Sequence, residues 1–261
     1  MRFKVEKWRL ALTRIVLNDT QWKRIEPELS GKTGDPGRSG RDNRLFIEAV
    51  LWIARSGAPW RDLPGEFGKW FTVYTRFWRW AQKGVWERVF KALSDDPDFE
   101  YVLVDGTLVR VHQHGTGARK RGPKQAIGRS RGGLTTKIMA LVDALGDLVR
   151  FVLLPGQRHD SVGVAPLIAS LEFEAFLGDK AFDNNWIRAE LNERGATAVI
   201  PSKADRVKPI PHDVEMYKWR HLVENFFCNL KAFRRIATRY DKTDTCFVGF
   251  INLVAAFLWM R

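Results

Sequence analysis

The sequence predicts an α/β protein, a mixed sheet flanked by helices and preceded by a small all-helical, helix-turn-helix-like segment. Three observations lead there. Residues 1 to about 95 carry helix-period patterns broken by turns rich in Gly and Pro. From about residue 100, short apolar β-rich runs alternate with helical stretches. Between the two lies Ser94-Asp95-Asp96-Pro97-Asp98, acidic and broken by Pro. The reading divides the chain into a helical domain, 1–95, and an α/β domain, 96–261.

In the first part, Thr20 is placed to cap a short helix through Leu29, and a loop with four Gly follows, Ser30 to Gly40. A second helix over 42–55 sets Leu45, Ala49 and Trp52 on one face and stops at Gly57-Ala58-Pro59. A third, near 68–83, lines up Lys69, Thr72, Arg76, Arg79 and Lys83 as one basic stripe, with Phe71, Tyr74, Trp78 and Ala81 turned inward. Helix, turn and basic helix suit a module that enters the major groove of DNA. Such stripes are equally the solvated face of an amphipathic helix.

The second part opens with Phe99 to Asp105, a buried strand ending in an acid. Arg110 to Arg131, with seven Arg or Lys and no acid, reads as a mobile basic loop, either a DNA clamp or a linker. Leu134 to Val142 and Leu148 to Leu154 read as a hairpin turning through Gly146, and 160–171 as a helix. Phe173 to Leu177 is a strand ended by Gly178-Asp179. A helix over 184–194, a strand over 196–200 and a long helix from about Val214 to Tyr240 complete the order. That order favours a mixed sheet with helices packed on it, as in a ribonuclease H-like fold.

The chain has 261 residues and a net charge of +13, a field that draws in polyanions, nucleic acid first among them. A membrane role is disfavoured, because the longest apolar stretch, Phe247 to Met260, holds Gly249 and Asn252 and reads as a buried helix. No apolar signal segment is found at the N-terminus. Two cysteines, Cys228 and Cys246, make no disulfide framework and read as small core residues. A reducing, cytoplasmic location near the nucleoid is expected.

Three acids stand out. Asp105 and Asp179 each follow an apolar strand, where α/β sheets form sites, and Glu224 lies in the long helix. Oxygen ligands on rigid elements suit Mg²⁺ at a phosphate substrate. Acids after strands also simply cap loops. On the helix, Tyr217, Arg220, Glu224 and Lys231 share a polar stripe, while Trp219, Leu222, Val223, Phe226, Leu230 and Phe233 cluster opposite. An acid among cations fits a DNA backbone site, and also an ordinary solvated face with an Arg220–Glu224 pair.

Tyr217-x2-Arg220-x3-Glu224-x6-Lys231 resembles the Y-x2-R-x3-E-x6-K signature of bacterial insertion-sequence transposases in the four/five superfamily. The stretches NFFCNLKAFRRIATRYDK from Asn225, VDGT around Asp105, AIGRSRGGLTTKI from Ala126 and GDKAFDNNW around Asp179 are similar to the insertion sequence five family in particular, as is the region around Trp60-Arg61-Asp62-Leu63-Pro64. The likeness runs from about Leu17 to near the end; the first twenty or so residues match less well. The resemblance implies a DDE core in which Asp105, Asp179 and Glu224 converge and hold two Mg²⁺ ions, with Mn²⁺ able to substitute. It implies DNA contacts from Tyr217, Arg220, Lys231 and Arg235. Lys69, Arg76, Arg79, Arg119, Lys120 and Arg121 are expected to add DNA contacts from the basic helix and loop. The implied partners are double-stranded DNA, as terminal inverted repeats and target, and further copies of the chain in a dimer or larger synaptic complex. The reaction would be hydrolysis at the element's end, freeing a 3′-OH that attacks target DNA, with no covalent protein–DNA intermediate.

Two rivals remain. Val104-Asp105-Gly106-Thr107 and Gly178-Asp179-x3-Asp183 resemble motifs of haloacid dehalogenase-type phosphatases, but Leu103 stands where their nucleophilic Asp is required. A catalytically inactive DNA-binding remnant or repressor of the same element is the other. His112 and His114 lack zinc-like partners in the sequence. His159-Asp160 reads as a cap for the next helix, and His221 as a group behind the signature acid.

Overall fold

The computed structural model describes residues 17–32, 34–35, 40, 42–94, 96–117 and 123–260. Arg119, Lys120 and Arg121, three of the expected DNA contacts, lie outside the described residues, as does the N-terminal stretch before Leu17. The chain groups into two compact units. One contains the chain to Leu93, Ala232–Thr238 and Thr245–Arg261; the other contains Ser94–Lys231 and Arg239–Asp244.

The first unit is helical. Helix α1, Asp19–Ile25, starts two residues earlier than Thr20 would place it, because Asn18 and Gln21 exchange side-chain and backbone hydrogen bonds in a capping box. Helix α2, Asn43–Ser56, is capped by Asp42 and closed by Gly57 at φ +69°, a conformation that glycine adopts without strain. Its buried residues run most of the way round, from Phe46 to Ala54, and Leu45 is exposed instead. Helices α3, Trp70–Gln82, and α4, Val85–Leu93, follow. On α3 the inward face is Val73, Phe77, Trp80 and Ala81; Phe71 and Trp78, expected inside, are 61% and 43% exposed.

The C-terminal helix, Asp244–Trp259, is buried along most of its length and joins these helices in one core. Phe250 stacks 4.4 Å from Phe77 and 6.0 Å from Trp60, and Gly249 lets the helix lie close to Trp86. Among the described residues, no helix is long and apolar enough to cross a membrane.

The second unit is built on a seven-stranded mixed sheet: β1, Tyr101–Val111; β2, Gly128–Ser130; β3, Gly133–Val142; β4, Leu148–Pro155; β5, Ala175–Gly178; β6, Thr197–Val199; and β7, Thr238–Arg239. The principal order is β4-β3-β1-β5-β6, with β3 antiparallel to both its neighbours and β5 and β6 parallel to β1. That order and those directions make a ribonuclease H-like sheet. Strand β2 continues the edge beyond β4, and the Arg239 carbonyl accepts from the His112 N–H at 2.9 Å beside the far end of β1. The expected basic loop is therefore shorter than drawn: Arg110 lies in β1 and Arg129 in β2.

The β3–β4 turn is held by buried Asp143, which accepts from the N–H groups of Leu145, Asp147 and Asp98. One sheet face buries Val102, Val104, Met139 and Leu141 against α5, Val164–Ile168, and α6, Asn185–Glu193. Helix α7, Val214–Tyr217, a turn at Lys218–Arg220 and α8, His221–Lys231, come next, and α8 lies against β1 and β3.

The single long helix expected over 214–240 is thus broken. Phe233 is extended (φ −85°, ψ 102°), which turns it and the Arg234–Ala237 turn into the core of the helical unit. Burying Phe233 and Ile236 there outweighs an unbroken helical ladder. Two further expectations of burial fail: Trp219, in the turn before α8, is 50% exposed, and Cys228 is exposed; Cys246 is buried, as expected.

Candidate active site

Strand β1 continues six residues past Asp105, so this acid is in mid-strand and not at the strand's end. Its neighbour β5 is what stops. The parallel register closes with Val104 opposite Gly178, and the next residue on each strand is an acid, Asp105 and Asp179. The sheet therefore delivers two carboxylates side by side at a point where one strand leaves. Asp179 is anchored by the Ala181 N–H, which donates to Oδ1 at 2.8 Å.

Asp105 is under electrostatic load. Burial pushes its carboxyl above the usual aspartate range, and the neighbouring Asp179 and Asp160 push the same way. The Gly106 N–H, donating to Oδ1 at 2.7 Å, and the Arg220 guanidinium oppose the shift. Arg220 donates through Nη1 to Asp105 Oδ2 at 3.1 Å and through Nη2 to Glu224 Oε1. One guanidinium thus links an acid on β1 with an acid on α8. Asp105 and Arg220 side chains are each 21% exposed and Glu224 is 53% exposed, so this pair of acids opens on one side to solvent.

Lys231, at the end of α8, donates to Thr107 Oγ1 and to the Leu108 carbonyl, which lays its ammonium along β1 close to Asp105. Burial holds that ammonium below the usual lysine range. The Tyr217 ring stands edge-on to His212 at 5.4 Å.

Lys137, which the sequence did not single out, and Asp160, expected only as a helix cap, come to the same place. Lys137 on β3 donates to the Arg158 carbonyl at 2.7 Å and to Asp160. Asp160 does not share in a helix cap with His159, as expected; it turns toward β1, where a Cβ on Gly106 would lie 3.4 Å from its Oδ1 and 2.5 Å from Met139 Sδ. Glycine at 106 is what admits the Met139 side chain, while Asp160 would stay at ordinary contact distance. A third, Asp183, is enclosed behind Asp179: its side chain has 0% exposure and accepts from Arg188 Nε at 2.7 Å, Arg206 Nε at 2.8 Å and the Lys203 N–H at 2.8 Å. Although burial pushes this carboxyl up, those donors hold it well below the usual range.

The remaining expected DNA contacts belong to the helical unit. Lys69 and Arg79 are exposed on and beside α3. Arg76 is turned inward instead: it bonds Asn43 and the Ser30 carbonyl, and its guanidinium lies over Phe46 and Trp80. Arg235 is 6% exposed, over Trp60 and Phe250, and is a core cation and not an open phosphate contact. Arg76 was placed outward by periodicity, which does not see neighbouring elements, and Arg235 by the family resemblance alone.

For a divalent ion the donor chemistry fits: Asp105, Asp179 and Glu224 offer hard oxygen ligands, and a cation, the Arg220 guanidinium, already stands between two of them. The closed cage of three acids does not appear, since among the described residues no three His, Cys, Asp or Glu side chains are grouped to hold one metal ion.

A ribonuclease H-like sheet with one acid on its central strand, a second just past the end of the adjacent strand and a third on a packed helix is the frame of a carboxylate-based nucleic-acid enzyme. Residues 17–90 match the family model described as "Putative transposase of IS4/5 family", and residues 97–259 match that of the "Transposase DDE domain". The chain belongs to the DDE transposases of this IS4/5 type. Such enzymes are nucleases and strand transferases that generally use divalent metal ions.

It is 40% identical over 120 residues to "Uncharacterized protein y4sN" of Sinorhizobium fredii, covering 44% of this chain and 96% of that protein. It is 38% identical over 130 residues to "Putative transposase for insertion sequence element IS6501" of Brucella ovis, covering 49% of this chain and all (100%) of that protein. Among solved structures, a piggyBac transposase synaptic complex with hairpin DNA aligns at a TM-score of 0.38 and 14% identity, over 77% of this chain and 52% of that one.

Proposed function

We propose that this transposase binds double-stranded DNA at the inverted repeats of its element, cuts by metal-dependent phosphodiester hydrolysis and joins the freed 3′-OH to target DNA. The observation that carries the reading is the joining of Asp105 and Glu224 through Arg220, next to Asp179 on the adjoining strand. In the cutting step the water oxygen bonds phosphorus, the P–O3′ bond breaks, and the departing 3′ oxygen takes a proton. In the joining step that 3′-OH loses its proton and its oxygen bonds a target phosphorus, the target's own P–O3′ bond breaks and the departing 3′ oxygen takes a proton, so no bond from protein to DNA is needed.

Asp105, Asp179 and Glu224 would hold two Mg²⁺ ions, for which Mn²⁺ can substitute. When bound, these stabilise the attacking and departing oxygens. Lys231, lying along β1 from Asp105, and Arg220, once released from the acids, would donate to phosphate oxygens, with Tyr217 further along the same segment. Lys69 and Arg79 would contact the duplex from the helical unit. A dimer or larger synaptic complex, bringing two ends together, and a cytoplasmic place beside the chromosome complete the reading.

The test is strand cleavage of a duplex carrying the element's end. Asp105→Asn, Asp179→Asn and Glu224→Gln are each expected to abolish cutting while DNA binding persists. Near-normal cutting by any of them removes that residue from the site. A wild-type protein that binds ends and does not cut with Mg²⁺ or Mn²⁺ is the inactive remnant.

A further inference from the structure

The position of Arg220 has a chemical consequence that goes beyond a phosphate contact. Its two terminal nitrogens engage two different acids, Asp105 Oδ2 and Glu224 Oε1. Asp105 is mostly shielded from solvent, with Asp179 and Asp160 adding negative charge around it. A cation is needed there for the acids to stay together, and Arg220 supplies it. The oxygens it occupies are ones that a divalent ion would have to take. A guanidinium has donors only and cannot share a carboxylate oxygen closely with Mg²⁺ or Mn²⁺, since the two cations repel.

Resting on the metal-site reading above, we propose that Arg220 is an interlock: it neutralises Asp105 and Glu224 until a DNA phosphate draws its guanidinium away, so that ion and DNA load together. Arg220 is suited to this exchange because its planar fork matches phosphate as well as carboxylate. Linkage makes the coupling reciprocal, so whatever draws Arg220 off the acids raises their affinity for the ion, and the bound ion strengthens the grip on phosphate. Arg220 is here a positioning residue for the acids before it is a DNA contact.

The test measures Mn²⁺ binding directly, by electron paramagnetic resonance of the free ion, on the full chain with and without a short DNA duplex. Wild-type protein is expected to bind Mn²⁺ weakly without DNA and about tenfold or more tightly with it, within the range usual for coupled sites. Arg220→Gln is expected to bind tightly without DNA and to gain little from it. Arg220→Lys, whose single ammonium cannot bridge both acids, is expected to lie between, and it serves if the Gln variant does not fold. Adding Asp105→Asn to Arg220→Gln should remove the tight binding and so locate it. Equal or weaker Mn²⁺ binding by the Arg220 variants, or an equal gain from DNA in variant and wild type, overturns the interlock. Absence of Mn²⁺ binding in every form, with DNA present, refutes instead the assignment of the acids as metal ligands.

Discussion

Replacing Asp183 by Asn should be among the most damaging isosteric changes in the α/β unit. The side chain is fully enclosed and is the shared acceptor of two guanidinium N–H groups and one backbone N–H. Asn keeps the size but removes the charge, and its amide NH₂ faces donors. Arg188 and Arg206, 12% and 19% exposed, then remain in the interior without their counter-charge. Breaking such a pair from one side costs about 3–5 kcal/mol. At roughly 2–4 °C per kcal/mol for a protein of this size, the melting temperature should fall by roughly 6–20 °C.

Acid adds a second signature. The folded carboxyl lies below the ordinary value, so its contribution is present above that value and is lost as pH falls through the folded one. Differential scanning calorimetry at neutral pH should give the full gap between wild type and Asp183→Asn, and the gap should narrow below about pH 3.9, the ordinary aspartate value. A melting temperature within about 2 °C of wild type at neutral pH would refute the reasoning, because the expected loss is several times larger.

Other substitutions test separate parts of the structure. Lys231→Ala should weaken duplex binding and reduce the salt slope by about one phosphate's worth of released counterion, read by fluorescence anisotropy across a salt series. Arg235→Ala should leave that slope unchanged and lower thermal stability by about 2 kcal/mol, because its guanidinium packs on Trp60 and Phe250 in the core. A changed slope would return Arg235 to the DNA surface. Gly249→Val should destabilise the helical unit by about 1–3 kcal/mol, since even a Cβ there meets Trp86 at 3.0 Å. A thermal melt matching wild type would show that the helix can shift without loss.

Five strands of the sheet were legible because each contains an apolar, β-rich run; Tyr101–Val104 and Ala175–Leu177 need no partner to be recognised, whereas β2 (Gly128–Ser130) and β7 (Thr238–Arg239) are short and polar and exist only through their pairing with β3 and β1. Less legible was which side chains reach solvent. A wheel from Tyr217 to Phe233 assumes one axis, whereas Lys218–Arg220 is a 3-10 turn ahead of α8 and the axis ends at Lys231; hence Trp219 fell on the wrong side, and Arg235, beyond that end, is turned into the helical core. The Lys137–Asp160 pair joins β3 to a turn 23 residues later, and its meaning depends on β1 passing between β3 and β5 with glycine at 106. Asp183 was visible only as part of an acidic spacing; the two arginines that enclose it are 5 and 23 residues away, at distances no periodicity links.

The folding of Phe250 against Phe77 and Trp60 binds the last helix to the first third of the chain. A ribosome must therefore release nearly the entire polypeptide before the amino-terminal helices can complete their interior. Until then Trp60, Phe77 and Trp86 lack the surface that finally covers them. A fragment cut after Leu93 would meet the same shortage permanently, and should behave as a sticky, loosely packed body and not as a portable reader of DNA.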